Sequence, residues 1–362
     1  MKKVRVIHFE LDKNIGGIEI FLLNLYKQID REKVQFEFVT TVDHAALEEQ
    51  FISLGGIVHH VPKYKNIIGY CQNIERLLQR NVDFVHIHKN SAANVIPLVI
   101  AKKCGVKNII VHSHNTAPSV GKASRFLHRL NKKYLNEVAT KKFACSAAAG
   151  KWLYLDDDFE IVPNGIITDD YQFDNNLRIK KRKELFIDDN IKLIGNVGRF
   201  TTQKNQMRAV DIFETIHRID HNTKLVLIGD GELKDSVLIY VQEKKMEKDI
   251  LLLGVRHDIP ELMMAMDAFI MPSLYEGLPI VAIEAQTAGL PLFLSDTISE
   301  EAEITDGVNW FSLADSDEKI ANDIMMSMQT MHLDRNRLRT QVIDKGYDMK
   351  NTAMKMLSYY LS

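Results

Sequence analysis

The chain has 362 residues, 46% of them apolar and 26% charged, with 18 glycines and 8 prolines. At about 150 residues per domain this is ordinary globular sequence for two cores, which excludes disordered, collagen-like and mucin-like chains. The net charge of -2 hides an asymmetry: residues 1–174 carry 23 basic and 19 acidic side chains, leaving -6 for the remainder, and residues 102–151 hold eleven basic residues and one acid, Glu137. Cys71, Cys104 and Cys145 are odd in number, far apart and without ligand spacing, so neither a disulfide framework nor a zinc site is suggested and a reducing cytoplasm fits best.

The N-terminus brings in charge by Glu10 and Asp12, too early for the apolar core of a signal peptide. The longest apolar runs, such as 95–101, fall short of the ~20 residues a membrane helix needs. A soluble or at most peripheral protein is expected. Short β-branched runs then alternate with helix-length amphipathic segments, the pattern of parallel strands joined by crossover helices. Strands are predicted at 4–9, 35–40, 57–61, 84–88, 109–114, 142–146 and 159–162, and after a polar linker and a basic surface helix at 178–183, again at 193–197, 225–228, 251–253, 268–271 and 292–294. Helices at 318–331, 336–345 and 352–361 close the chain. The reading is α/β, two Rossmann-like doubly wound domains facing each other across a cleft. The N-terminal domain covers 1–170, the second 171–345, and the last helix, 346–362, packs back on the first. Ligands of such sheets bind at the carboxyl ends of the strands, so motifs there carry the most weight.

Asn14-Ile-Gly16-Gly17-Ile-Glu19 follows the first strand and opens a helix, a place where backbone amides receive anions; it is not a GxGxxG fingerprint. The fifth strand ends in Val111-His112-Ser113-His114-Asn115, where His112 and His114 face the same way and either reach a ligand or fill the core. Metal binding explains them poorly, because no carboxylate or third His lies nearby in sequence. On a helix, Arg125, Arg129, Lys132 and Lys133 share one face and Leu127, Leu130 and Tyr134 another. That suits an anionic membrane surface or a lipid diphosphate, and also a solvated helix covering the sheet. Nucleic acid is disfavoured by sparse aromatics and a pI of about 6.7. Asp156-Asp157-Asp158 reads as a solvated loop rather than a metal-binding DxD, and no GxxxxGK[ST], GxSxG or HExxH occurs.

Gly198-Arg199-Phe-Thr-Thr-Gln-Lys204 delivers two cations to a strand's carboxyl end, enough to neutralise a diphosphate without a metal; a solvated turn would carry the same pair. Gly229-Asp230-Gly231, at the next strand-to-helix junction, permits close backbone approach to a ligand or is just a turn. Pro272-Ser-Leu-Tyr-Glu276-Gly277-Leu278-Pro279 leads to Glu284. If a helix starts at 277–279, its free amides receive a diphosphate or sugar oxygen, and Glu284, two turns in, can accept hydrogen bonds from two neighbouring ribose hydroxyls. A surface Glu with a buried capping Glu is the plain alternative.

Together these segments resemble the retaining glycosyltransferases of family 4, which have the GT-B fold. The likeness runs nearly end to end, through Gly16-Gly17-Ile-Glu19, Val162-Pro-Asn164-Gly165, Val197-Gly198-Arg199 with Lys204, Gly229-Asp-Gly231 and the paired glutamates Glu276 and Glu284. Ala144-Cys-Ser146, Gly254-Val-Arg256-His-Asp-Ile-Pro and Ile283 to Pro291 look most like enzymes of capsular and exopolysaccharide assembly. The resemblance implies that Arg199 and Lys204 bind the diphosphate, Glu276 the transferred sugar with help from the Gly277 and Leu278 amides, and Glu284 the ribose. Gly16, Gly17, Gly198, Gly229, Gly231 and Arg256 complete the donor side. His114 lines the acceptor side and contacts the donor sugar, with His112 beside it; Asn115 stands where many relatives have Gly.

The expected reaction moves a hexosyl group from a nucleoside diphosphate sugar, UDP-linked by preference, to a glycan or lipid-linked saccharide, without metal or other cofactor, at the inner face of the cell membrane. A nucleotide-sugar epimerase of the same architecture, and a non-catalytic helper of a partner transferase, are the competing readings.

Overall fold

The computed structural model describes residues 2–115, 121–330 and 334–362. Two compact units result, one built from 1–166 with 346–362, the other from 167–345.

In the first unit, β1 (Val4–Leu11), β2 (Val34–Thr40), β3 (Ile57–His60), β4 (Phe84–Lys89), β5 (Asn108–Ser113), β6 (Lys141–Ala144) and β7 (Glu160–Ile161) form a sheet in the order β3-β2-β1-β4-β5-β6-β7. The second contains β8 (Lys192–Val197), β9 (Thr223–Ile228), β10 (Ile250–Gly254), β11 (Ala268–Met271), β12 (Leu292–Ser295) and β13 (Val308–Phe311), in the order β10-β9-β8-β11-β12-β13. All the strand pairs are parallel. The β-branched runs form these strands because both faces are covered by crossover helices, which rewards continuous apolar sequence. Ile7, Phe9, Val85, Ile87 and Val111 lie in one core, and Ile194, Leu225, Leu227 and Ile270 in the other with Phe213 and Ile324 from the helices. In both sheets the winding reverses direction once, between β1 and β4 and between β8 and β11. Those switch points open a crevice at the carboxyl ends of the strands.

The sequence does not announce β13. Val308–Phe311 is a four-residue edge strand with only Phe311 fully buried, so it lacks the apolar run that marks the others. Of the expected helix 318–331, the structure has Asp317–Thr330, and Met331 lies outside the described residues.

The polar stretch expected to be a linker contains an ordered turn, while the expected basic surface helix forms as Asn175–Glu184, mostly exposed but with Lys181 and Arg182 buried. Thr168–Tyr171 is a 3₁₀ turn with Thr168 and Tyr171 buried. In the helix Asn175–Glu184, Arg178 Nη1 donates to the carbonyls of Met264, Ala265 and Met266 at 3.0, 3.0 and 2.9 Å, while Arg182, almost fully buried, donates to the Ala265 carbonyl at 2.8 Å. These arginines answer the free carbonyls at the end of the helix Ile259–Ala265.

The final helix, Met349–Leu361, belongs to the first unit and packs on the helix Gly17–Gln28. Its start is tied by the Met349 amide to the Ile166 carbonyl at 2.8 Å. Its end is fixed by Tyr360, whose hydroxyl lies 2.8 Å from His86 Nδ1 and whose ring meets Phe36 and Phe84 edge-on.

Candidate functional site

In the second unit, two loops meet at the β8/β11 switch point. The loop after β8 is stitched to the loop after β11 by Leu274 N to Gln203 O (2.8 Å), Gln203 Nε2 to Tyr275 O (2.9 Å) and Asn205 Nδ2 to Pro272 O (3.1 Å). This brings Lys204 Nζ to 2.5 Å from Glu276 Oε1, both side chains largely buried. The contact is an ion pair by proximity, and among the described residues no other donor faces that oxygen. Glu276 is held from behind by its backbone, whose carbonyl accepts from Ser299 N at 3.1 Å. Arg199 is exposed at the rim, with no ion pair among the described residues. The helix expected at 277–279 begins at Ile280, with Pro279 as its N-cap; among the described residues no hydrogen bond takes up the amides of Gly277 and Leu278.

Glu284 lies in the second turn of that helix. Burial raises its pKa above the ordinary carboxylate value, and the Tyr171 hydroxyl, which donates to it, pulls the other way. Tyr171 is a site residue that sequence reasoning missed, because it stands in a stretch that reads as polar linker.

Gly229 and Gly231 are required by the packing of the loops themselves. A Cβ on Gly229 would sit 2.1 Å from the Gly198 carbonyl oxygen and one on Gly231 2.4 Å from that of Phe200. Their amides are already spent, on Gly254 O at 2.8 Å and Asp230 Oδ1 at 2.7 Å. These glycines let the 198–200 loop pack closely. Arg256, expected on the donor side, is held by Asp258 (2.6 Å) and Glu184 (3.0 Å), which raise its pKa further. No contact among the described residues brings it to the Lys204–Glu276 pair.

In the first unit, Glu19 closes the Gly16-Gly17 loop: its carboxylate accepts from Asp12 N at 3.1 Å and Gly16 N at 3.0 Å. The glutamate is thus a clamp that exposes the start of the helix Gly17–Gln28, and burial raises its pKa. His114 follows β5, and its amide continues the ladder to the Lys89 carbonyl at 3.0 Å. Its ring ends a chain of imidazoles. His8 Nδ1 lies 3.0 Å from His88 Nε2, His88 Nδ1 lies 2.8 Å from His114 Nε2, and His114 Nδ1 lies 2.8 Å from Asn164 Oδ1. Because the Asn164 oxygen only accepts, each ring must carry its proton on Nδ1. Burial pushes His114 down to about 4 and His8 to about 3, so the chain is neutral.

His112 is not an acceptor contact. It is fully buried, stacked on His86, with Nε2 donating to the Val162 carbonyl at 3.3 Å. The third histidine that the sequence does not place near this pair is supplied by neighbouring strands. Ring nitrogens of His8, His86 and His88, and of His88, His112 and His114, come within 4.8 Å of one another. Neither group contains a carboxylate, and in both His88 already uses its two nitrogens on His8 and His114.

The basic helix spans Lys122–Val138 and buries His128, Leu135 and Val138. His128 stacks on Trp152 at 4.2 Å, and its Nδ1 accepts from the Ala92 amide at 3.0 Å. The face read from spacing as apolar is therefore not the inward one: Leu127 and Leu130 are exposed together with Phe126, beside exposed Arg125, Arg129 and Lys133. Lys132 departs from that group, turning its ammonium to the Lys151 carbonyl at 3.3 Å, and burial lowers its pKa. No helix among the described residues is long and apolar enough to cross a membrane.

Comparison with known proteins converges on one family. Residues 15–170 match "Glycosyltransferase Family 4" and residues 178–348 match "Glycosyl transferases group 1". EpsF of Bacillus subtilis (strain 168), a glycosyltransferase by name, is 31% identical over 98% of this chain and 96% of its own length. The Escherichia coli UDP-Gal:alpha-D-GlcNAc-diphosphoundecaprenol alpha-1,3-galactosyltransferase is 23% identical over 81% of this chain and 80% of its own. Among solved structures, Anabaena HepE in complex with UDP superposes with a TM-score of 0.83 at 16% identity over 98% of this chain and 99% of that one. HepE with UDP-glucose gives 0.80 at 17% identity over 98% and 99%.

Proposed function

The chain belongs to glycosyltransferase family 4 and has the GT-B fold, and on that premise we propose that it transfers a hexosyl group from a UDP-sugar to a lipid-linked glycan in capsular or exopolysaccharide assembly, with retention and without a metal. The observation that carries this reading is the Lys204–Glu276 pair at the β8/β11 switch point, with Arg199 exposed on the same loop as Lys204 and, among the described residues, no hydrogen bond to the Gly277 and Leu278 amides.

Transfer breaks the bond between the anomeric carbon and the diphosphate oxygen and forms one to the acceptor hydroxyl oxygen. The carbon becomes cationic as the diphosphate leaves, so stabilising leaving-group charge is the main demand. Lys204 and Arg199 supply two cations and the helix start supplies amides. On donor binding Lys204 turns from Glu276 to the diphosphate, and Glu276 is freed to accept from the sugar's hydroxyls. The acceptor proton passes to the departing phosphate oxygen, on the face the leaving group vacates, which gives retention. Glu284 takes the ribose hydroxyls, with Tyr171 fixing its orientation. UDP is favoured because HepE binds UDP and UDP-glucose, and a lipid-linked acceptor because the Escherichia coli relative is named for one.

The helix Lys122–Val138 supports attachment to an anionic membrane. Its exposed Phe126, Leu127 and Leu130 flanked by Arg125, Arg129 and Lys133 pair apolar insertion with charge attraction.

The test is a panel of UDP-, GDP- and ADP-sugars with and without a lipid-linked saccharide, following free nucleotide, in EDTA and with Glu276→Ala. Acceptor-dependent release from one donor, retained in EDTA and lost in the variant, is expected. Acceptor-free conversion to an isomeric nucleotide sugar would indicate an epimerase, binding without turnover a helper subunit, and loss in EDTA restored by a divalent ion would overturn the metal-free account.

A further inference from the structure

The first unit has its own switch point, between β1 and β4, and an ion pair spans it. Lys89, the last residue of β4, is buried, and its Nζ donates to Glu10 Oε1 at 2.9 Å. The Tyr64 hydroxyl, from the loop after β3, donates to the same oxygen at 2.9 Å. Tyr70, 3.4 Å from the Tyr64 hydroxyl and 4.6 Å from its ring centre, backs that phenol from the following helix. Three donors or props therefore fix one carboxylate, and among the described residues Oε2 has no hydrogen bond.

The backbone shows that Glu10 is placed there by the fold. Phe9 pairs with Val39 and Leu11 with Thr40, so Glu10 is the extra residue of a bulge in β1. The Thr40 hydroxyl donates to the Leu11 carbonyl at 2.8 Å and secures the distortion. Bulges of this kind re-aim a side chain and are common beside functional sites. Without it, strict alternation would put Glu10 on the same face as buried His8. A carboxylate with roughly a third of its side chain exposed is instead presented at the strand ends. Lys89 and the acceptor-side His114 are joined by a main-chain hydrogen bond of 3.0 Å, so the pair shares the end of the sheet with the expected acceptor residues.

We infer that Glu10, Lys89 and Tyr64 form the subsite for a neutral sugar residue of the acceptor. Glu10 Oε2 accepts from a sugar hydroxyl, Lys89 holds that carboxylate in place, and the partly exposed Tyr64 ring offers an apolar wall. A carboxylate locked through one oxygen, with the other free beside an aromatic ring, suits a polyol that carries both donors and apolar C–H faces; it repels a phosphate. This rests on the transferase reading, but is carried by residues of the other unit from those that hold the donor.

The test is saturation-transfer NMR on the full chain in saturating UDP, with a panel of methyl hexosides and methyl N-acetylhexosaminides, comparing the parent with Glu10→Gln and Tyr64→Phe. Transfer to at least one glycoside is expected, falling at least fivefold in Glu10→Gln and two- to threefold in Tyr64→Phe. UDP affinity, measured by calorimetry on each protein, reads the donor unit. A parent that saturates no glycoside, or a glycoside signal unchanged in both variants, overturns the inference. Failure of the parent to bind UDP would instead overturn the donor reading, while the glycoside signals still decide this one.

Discussion

Replacing Lys204 with Met isolates the electrostatics of the donor pair. At 2.5 Å and an effective dielectric of about 20, the attraction between the two charges is about 7 kcal/mol, most of it offset by the cost of taking both from water. Removing one partner does not simply forfeit the small remainder; it strands the Glu276 carboxylate, whose side chain is 11% exposed. Stranded charges of this kind cost about 3–5 kcal/mol when fully buried, and residual solvent access at this site reduces that to about 2 kcal/mol. In a unit spanning 167–345, each kcal/mol moves the melting temperature by about 2–4 °C, so Lys204→Met should melt about 4–8 °C lower. The double variant Lys204→Met/Glu276→Gln should recover at least half of that loss, because the neutral amide needs no counter-charge. Unfolding is best followed through Trp310 in a Trp152→Phe background, since these two tryptophans lie one in each unit. Turnover behaves differently, with both proteins losing at least about a hundredfold in kcat through the missing leaving-group cation. A Lys204→Met protein as stable as the parent, or a double variant less stable than either single one, would refute the stranded-charge argument.

Three further outcomes follow from the same structure. Tyr171→Phe removes a hydrogen bond to Glu284 worth about 1 kcal/mol, so calorimetry should show UDP affinity weakened about fivefold with 2′,3′-dideoxy-UDP affinity nearly unchanged. His8 and His114 have pKa values depressed to about 3 and about 4, against about 6.5 when unfolded. Their stabilisation is therefore fully present above pH 6.5 and lost as pH falls through the folded values, about 1.4 kcal/mol per pH unit for each. Trp152 emission should report acid unfolding of the first unit in that window, and a transition independent of pH between 6.5 and 4.5 would contradict it. Phe126→Ser/Leu130→Ser gives up about 3 kcal/mol of apolar burial, so flotation with anionic vesicles at low salt should fall more than tenfold, while flotation equal to the parent would remove this helix from the membrane contact.

The segments expected on the donor side could be singled out because each is local. Gly198, Arg199 and Lys204, and Glu276 through Glu284, each sit within one strand–loop–helix segment, and the physics of a helix start or a strand end acts over a few residues. Arg256 shows the limit of local reading, since one of its ion-pair partners, Glu184, lies far away in sequence. The basic helix shows a related limit. Spacing separated charged and apolar residues, but His128 rather than Leu130 faces inward, because a histidine that stacks on Trp152 and accepts from a backbone amide loses nothing by burial.

By itself the sequence determined the alternation of strands and helices, hence two doubly wound units, since continuous β-branched runs are stable only between covering helices. The motifs at its strand ends also carried the resemblance to family 4, and with it the class of chemistry. Only the tertiary structure decided what those residues touch: that five histidines from β1, β4 and the end of β5 stack into one neutral cluster, that Tyr171 reaches Glu284, and that a bulge turns Glu10 toward Lys89 and Tyr64. Such contacts depend on strand order and register, which are set by the packing of distant segments and leave no periodic trace along the chain.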